Sequence, residues 1–128
     1  MMRTLPMAGL IVLSLAYDAR AAPMHDPCRG AANDETMRAC RQAQFDASEQ
    51  RLRETYEKLH ANDMQSQPKR AELLAVVQAA WRAFRDVECR LQNYDSASGT
   101  AYDLYLLVCL TQLNDARASQ LQAMIEQP

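Results

Sequence analysis

The stretch Pro68–Gln92, PKRAELLAVVQAAWRAFRDVECRLQ, decides the fold class. Leu73, Val77, Ala80, Phe84, Val87 and Leu91 follow one another at alternating steps of four and three, the spacing of a helix-packing seam. Leu74 and Trp81 widen this stripe on one side, which predicts a helix lying between two neighbours. Pro68 suits the first turn, where its missing N–H would have had no partner anyway.

Working outward, the upstream segment carries Met37, Cys40, Phe45, Ser48, Leu52, Tyr56 and Leu59 at mostly three- and four-residue steps. Asn33 or Asp34 can cap this first helix, with Glu35 favourably placed in its opening turn. The polar run His60–Gln67 (HANDMQSQ) breaks the pattern and is predicted to be the link to the second helix. Downstream, Asn93–Gly99 (NYDSASG) reads as a loop. Thr100 with Asp103 resembles a capping box opening a third helix, whose stripe is Tyr102, Leu106, Cys109, Leu113 and Ala116, continued by Leu121 and Met124. Nothing alternates with period two. The expectation is an all-α fold, a three-helix antiparallel bundle forming one domain over residues 22–128.

Composition agrees. The 128 residues are 48% hydrophobic, 23% charged and only 6% aromatic, which suits one small helical domain and disfavours an all-β sandwich. The net charge of −2 comes without a basic cluster, so no nucleic-acid partner is expected. At the amino terminus, Arg3, the apolar run Leu5–Ala16 and the Ala19-x-Ala21 pattern predict a signal peptide, residues 1–21, cut before Ala22. The apolar run is too short to span a bilayer, which takes ~20 residues. No Cys directly follows a small-residue processing site, the first being Cys28 after Met24-His25-Asp26-Pro27, so neither a lipid anchor nor any other membrane anchor is expected after cleavage. The mature chain would carry a charge of −3 and reside in the periplasm or outside the cell.

All four cysteines, Cys28, Cys40, Cys89 and Cys109, fall in the mature part, and an even count in a small exported chain predicts two disulfides. Close metal-type pairs, C-x-x-C redox pairs and haem-attachment motifs are absent from the sequence. In an up-down-up bundle all four cysteines fall near one end, and three pairings stay open. Pairing sequence neighbours, Cys28–Cys40 and Cys89–Cys109, is favoured. Against it stands a height difference of ~9 Å between Cys89 and Cys109, counted at ~1.5 Å per residue along ideal helices.

The sequence offers little for catalysis. His25 and His60 have no nucleophile or carboxylate partner nearby, and His60 reads as a helix-end residue facing the dipole. Ser96 and Ser98 lie in a loop without a nucleophile elbow. No enzyme activity, metal or cofactor is expected; a metal-chaperone reading through Met24 and His25 ranks last, since the expected cleavage puts His25 fourth in the mature chain. The row Trp81, Arg85, Cys89 at four-residue spacing is the most distinctive local feature. Trp81 is expected in the core, with Arg85 and Asp86 tying a neighbouring helix or loop. Tyr102 and Tyr105 are expected in the core or at its rim. The loop Tyr94–Thr100 is different in kind: polar, with one Gly, and flanked by Cys89 and Cys109, it is a plausible binding device on a rigid scaffold.

Taken in order, Cys28, Thr36-Met37-x-x-Cys40, Asp46, Leu52, Tyr56-x-x-Leu59, Gln78-x-x-Trp81-x-x-x-Arg85-Asp86-x-x-Cys89 and Cys109-Leu110-x-x-Leu113-x-x-x-Arg117 resemble the LprI-type domain. That family of small exported helical proteins takes its name from a lysozyme-inhibiting lipoprotein. The resemblance covers about Cys28 to Leu121 and implies a non-enzymatic protein whose partner is another protein, with lysozyme the first candidate. Under that reading Tyr94, Asp95, Ser96 and Ser98 are the residues expected to enter the glycosidase cleft. The rival reading is a cell-envelope interaction or stress module with no effect on lysozyme.

Overall fold

The computed structural model describes residues 26–127; the expected signal peptide, Met24 and His25 lie outside them. Three helices follow in order, α1 (Asp34–Ser66), α2 (Pro68–Gln92) and α3 (Tyr102–Glu126), with one 3-10 turn, Tyr94–Ser96, between the last two. Among the described residues there is no strand. The all-α bundle of the sequence reading is therefore present. α1 and α3 pack along most of their length, and α2 lies less extensively against both.

α1 starts at Asn33, whose side chain accepts from the Thr36 amide at 2.9 Å while the Thr36 hydroxyl accepts from the Asn33 amide at 3.1 Å. The reciprocal pair satisfies two amides that a helix start would otherwise leave bare. The helix does not stop at His60. It continues through the polar run to Ser66, and the link to α2 is the single residue Gln67. Asp63 explains why: it continues the buried stripe Ser48, Leu52, Leu59, and its Oδ1 accepts from Arg70 of α2 at 2.7 Å. A polar residue buried with a partner is invisible to a count of apolar positions. His60 accordingly sits inside the helix, its ring 5.6 Å from that of Tyr56, rather than at a helix end.

The core is the cluster Leu52, Leu59, Leu74 and Leu121, with Tyr56, Trp81, Ala118 and Ile125 packed against it. α2 contributes Ala71, Leu74, Gln78, Arg85 and Cys89 as its buried residues. The expected seam is turned the other way: Leu73, Val77, Ala80, Phe84, Val87 and Leu91 are all exposed, Leu73 at 62%, Phe84 at 56% and Leu91 at 67%. On α3 the carboxy-terminal stripe is Asn114, Ala118, Leu121 and Ile125, whereas Ala116 and Met124 face outward. The expected Thr100–Asp103 capping box does not form. α3 begins at Tyr102 with no side-chain cap, and Asp103 instead pairs with Arg38 of α1 at 3.1 Å.

Both disulfides are the favoured sequence-neighbour pairs, Cys28–Cys40 and Cys89–Cys109, with Cα separations of 5.8 and 5.6 Å. The height objection dissolves in the connection. Residues 93–101 carry the chain past the end of α2 through successive turns, so that α3 begins beyond it and brings Cys109 back level with Cys89. The Cys28 end is secured by Asp26, which accepts from the Cys28 amide at 3.0 Å and from Arg41 at 2.8 Å. The Arg41 hydrogen bond, then that of the Cys28 amide, holds the Asp26 carboxyl below its ordinary value.

Two outcomes follow. Leu121→Ala removes a fully buried side chain and should cost about 2–5 kcal/mol, while Leu73→Ala on the exposed seam should stay within ~0.5 kcal/mol; urea denaturation at low protein concentration measures both. Because the folded carboxyl of Asp26 titrates lower than in the unfolded chain, its contribution is full above the ordinary carboxylate value and is lost as pH falls through the lowered one. Asp26→Asn should therefore flatten part of the acid-side stability profile and leave the neutral-pH slope unchanged.

Candidate functional site

Two arrangements bring chemistry-bearing side chains together, and they differ in kind. The first is internal. Arg85, 7% exposed, reaches from α2 to the meeting point of the other helices. Its guanidinium donates to Glu49 of α1 and, at 2.7 Å, to Asn114 Oδ1 of α3. Asn114 Nδ2 donates in turn to Ser48 Oγ at 2.9 Å and Glu49 Oε1 at 2.8 Å, and Ser48 Oγ donates to the Phe45 carbonyl at 2.7 Å. Asp86 accepts from Arg85 at 2.8 Å but is itself exposed, so it braces Arg85 rather than tying a second helix.

Trp81 lies half-buried between two cations, the guanidinium of Arg85 at 5.6 Å and that of Arg117 at 5.9 Å from its ring centroid. Both distances are within the range of cation–π attraction. Arg117 Nε also donates to the buried Gln78 Oε1 at 3.0 Å. Burial pushes the Arg117 guanidinium below its ordinary pKa, although a guanidinium still remains charged in a protein. Every polar member here is spent on another protein group, except Gln78 Nε2, which is buried without a partner. This is a structural network. Trp81 and Arg85 stand where the sequence placed them, and Ser48 was already on the α1 stripe; Glu49 and Asn114 were not singled out, because a polar residue carries no signal of its partner.

The second arrangement is external. The residues Tyr94, Asp95, Ser96 and Ser98 sit on the connection after α2, with Tyr94 74% exposed, Asp95 and Ser98 exposed and Ser96 half-buried. The backbone under them is closely tied. Asn93 donates its side-chain amide to the Cys89 carbonyl at 2.8 Å, the Ser96 amide donates to Asn93 O at 3.0 Å and Ala97 to Tyr94 O at 3.1 Å. The Gly99 amide donates to Ser96 O at 2.8 Å, and a Cβ at Gly99 would stand 3.2 Å from that same oxygen. The Cys89–Cys109 disulfide closes the base. Among the described residues the four polar side chains make no hydrogen bond of their own. The loop is thus an ordered backbone carrying uncommitted phenol, carboxylate and hydroxyl groups.

The remaining surface offers shallower features. A groove of about 520 Å³ between α1 and α3 is lined by Arg51, Thr55, Asp115 and Gln122, with Arg51 and Asp115 already paired at 2.6 Å. Among the described residues no three His, Cys, Asp or Glu converge as metal ligands, and no helix is long and apolar enough to cross a membrane. Tyr102 is half-buried, whereas Tyr105 is exposed at the surface.

Fold and site together define a disulfide-stapled three-helix module that presents a clamped polar loop. The family model described as Lysozyme inhibitor LprI matches residues 28–121, from the first cysteine to the last buried leucine, and the chain belongs to that family. It is also similar to "Uncharacterized protein R02472" of Rhizobium meliloti (strain 1021), 25% identical over 136 residues that cover 98% of this chain and 97% of the relative. No solved structure matches it.

The internal network has a direct test. Arg85→Met leaves Glu49 and Asn114 without their buried partner and should cost about 3–5 kcal/mol in chemical denaturation. Arg85→Lys should not restore it, since one ammonium cannot reproduce the planar fork that meets Glu49, Asn114 and Asp86 together.

Proposed function

We propose that the protein is an exported, non-enzymatic inhibitor of lysozyme that inserts the Tyr94–Ser98 loop into the glycosidase cleft. The observation carrying this reading is the loop itself: a largely exposed run of uncommitted polar side chains on a backbone pinned by four hydrogen bonds and one disulfide, in a chain whose family bears the lysozyme-inhibitor description. Export to the periplasm or beyond is supported by the amino-terminal sequence and fits two disulfides.

Lysozyme cleaves with two carboxyl groups flanking an open cleft. A proteinaceous inhibitor has only to fill that cleft with a surface whose donors and acceptors match those the sugar would have met. The Tyr94 ring provides an apolar plug with a hydroxyl that can donate to a cleft carboxylate. Asp95 accepts from amide donors that otherwise hold sugar hydroxyls, and Ser96 and Ser98 can do either. Because the loop is ordered before binding, little conformational entropy is lost on docking.

Lysis of peptidoglycan by several lysozyme types, assayed with oxidised and reduced protein, tests the reading. Dose-dependent inhibition that disappears on reduction is expected. Tyr94→Ala combined with Asp95→Ala should weaken inhibition about tenfold or more with the melting temperature nearly unchanged. Undiminished inhibition by that variant removes the loop from the mechanism. Absence of inhibition by well-folded protein leaves an envelope interaction module as the function.

A further inference from the structure

The outward seam of α2 is apolar along its whole length, and none of the described residues covers it. A contiguous exposed stripe of this kind marks an interface rather than ordinary surface. Its order is symmetric. Leu73, Val77, Ala80, Phe84, Val87 and Leu91 read Leu-Val-Ala-Phe-Val-Leu at steps of four, three, four, three, four, so a two-fold axis at position 82 maps Leu73 onto Leu91, Val77 onto Val87 and Ala80 onto Phe84. We propose that α2 is the interface of an antiparallel homodimer in which this seam packs on its own copy.

The pairing satisfies size as well as symmetry. Leucine meets leucine and valine meets valine at the ends, and near the axis the small Ala80 leaves room for the large Phe84 of the second copy. Ala79 and Ala83 are exposed beside the seam and let the backbones approach closely. At the α1–α2 end of the seam, Leu73, Leu74, Val77 and Met124 line an apolar slot of about 210 Å³ that also touches Asp63, Arg70 and Arg117. The two-fold brings Leu91 of the second copy to this slot. A closed two-fold contact of this type uses the same patch on both copies and needs no second surface.

Charge selects the direction. Glu72 and Arg90 are exposed at opposite ends of the seam on the side of Ala79 and Ala83. An antiparallel arrangement sets Glu72 near Arg90 of the second copy, and does so twice; a parallel one puts this flank on opposite sides of the pair and forms neither contact. The helix dipoles also oppose one another favourably only in the antiparallel case. Arg90 uses its Nε on the Asp86 carbonyl at 3.1 Å and so keeps its terminal nitrogens for this contact. Arg82, at the axis position, is turned aside toward Glu49 at 3.7 Å.

Sedimentation equilibrium of the oxidised protein tests the proposal, with circular dichroism to check folding of each variant. The expected result is twice the monomer mass at micromolar concentration. Phe84→Glu, at an exposed position, should weaken association roughly a hundredfold by burying two carboxylates near the axis. Glu72→Arg and Arg90→Glu should each weaken it about tenfold, and the two together should restore it, an outcome that only the antiparallel register gives. A monomeric wild type, a dimer indifferent to Phe84→Glu, or single charge variants that the double variant does not rescue overturns the proposal. So does a monomer whose Phe84→Glu form loses lysozyme binding, which would assign the face to that partner. The inference does not rest on the inhibitor reading: lysis assays on Phe84→Glu report inhibition, and sedimentation reports the seam.

Discussion

A guanidinium buried where three helices meet governs the rest of this small protein. Arg85 can leave water only if its donors are matched, and the matching groups come from different helices: Glu49 on α1 and Asn114 on α3. The network therefore forms only in one rotation of α2 about its axis. Cys89, one turn further on, is bonded covalently to Cys109 of α3 and demands the same rotation. Trp81, one turn before, finds its place between Arg85 and Arg117 on that face as well. Orientation of α2 is thus fixed by one covalent bond and one ionic network acting on a single stripe.

That choice runs against the apolar pattern of the helix. Turning the seam inward would bury Phe84, Leu73, Leu91 and three smaller residues, each large side chain worth about 1.5–3 kcal/mol. It would also break the disulfide and leave Glu49 and Asn114 facing an empty position, at several kcal/mol for the unpaired charge alone. The covalent bond cannot be traded for area, so the apolar seam is the face that goes outside. An exposed apolar stripe of that size is the physical demand that the proposed self-complementary interface would answer.

The sequence made the helices, the two disulfides and the inward Trp81–Arg85–Cys89 row legible, because periodicity, cysteine count and regular spacing are local signals. It misdirected the packing of α2 because hydrophobic periodicity reports that a face is covered without reporting by what. A helix with two competing faces, Leu73 to Leu91 on one and Leu74 to Cys89 on the other, cannot be oriented from its own residues. The same limit hid Asp63: its burial depends on Arg70 across the turn, so the polar run HANDMQSQ read as a link although it completes α1. Capping of α3 was missed for a related reason. Asp103 has an alternative partner in Arg38, and a side chain committed to another helix cannot also close a box with Thr100. Of the candidate loop, position and exposure were readable, since polar residues between cysteines leave little choice, but the turn hydrogen bonds that order it were not.

Loop and seam share one element yet remain separable. Tyr94 follows α2, while Phe84 lies ten residues earlier, about 15 Å along the helix at 1.5 Å per residue. Cys89, bonded to Cys109, stands between Phe84 and Tyr94. The loop backbone takes its hydrogen bonds from Cys89 and from the loop itself. In an antiparallel pair the two loops emerge from opposite ends of the joined helices. Each then faces solvent on its own side, so the proposed association through α2 and the proposed recognition through Tyr94–Ser98 place independent demands on the sequence. Such independence is available only because the stripe that holds the fold together, Trp81 to Cys89, is neither of the two exposed ones.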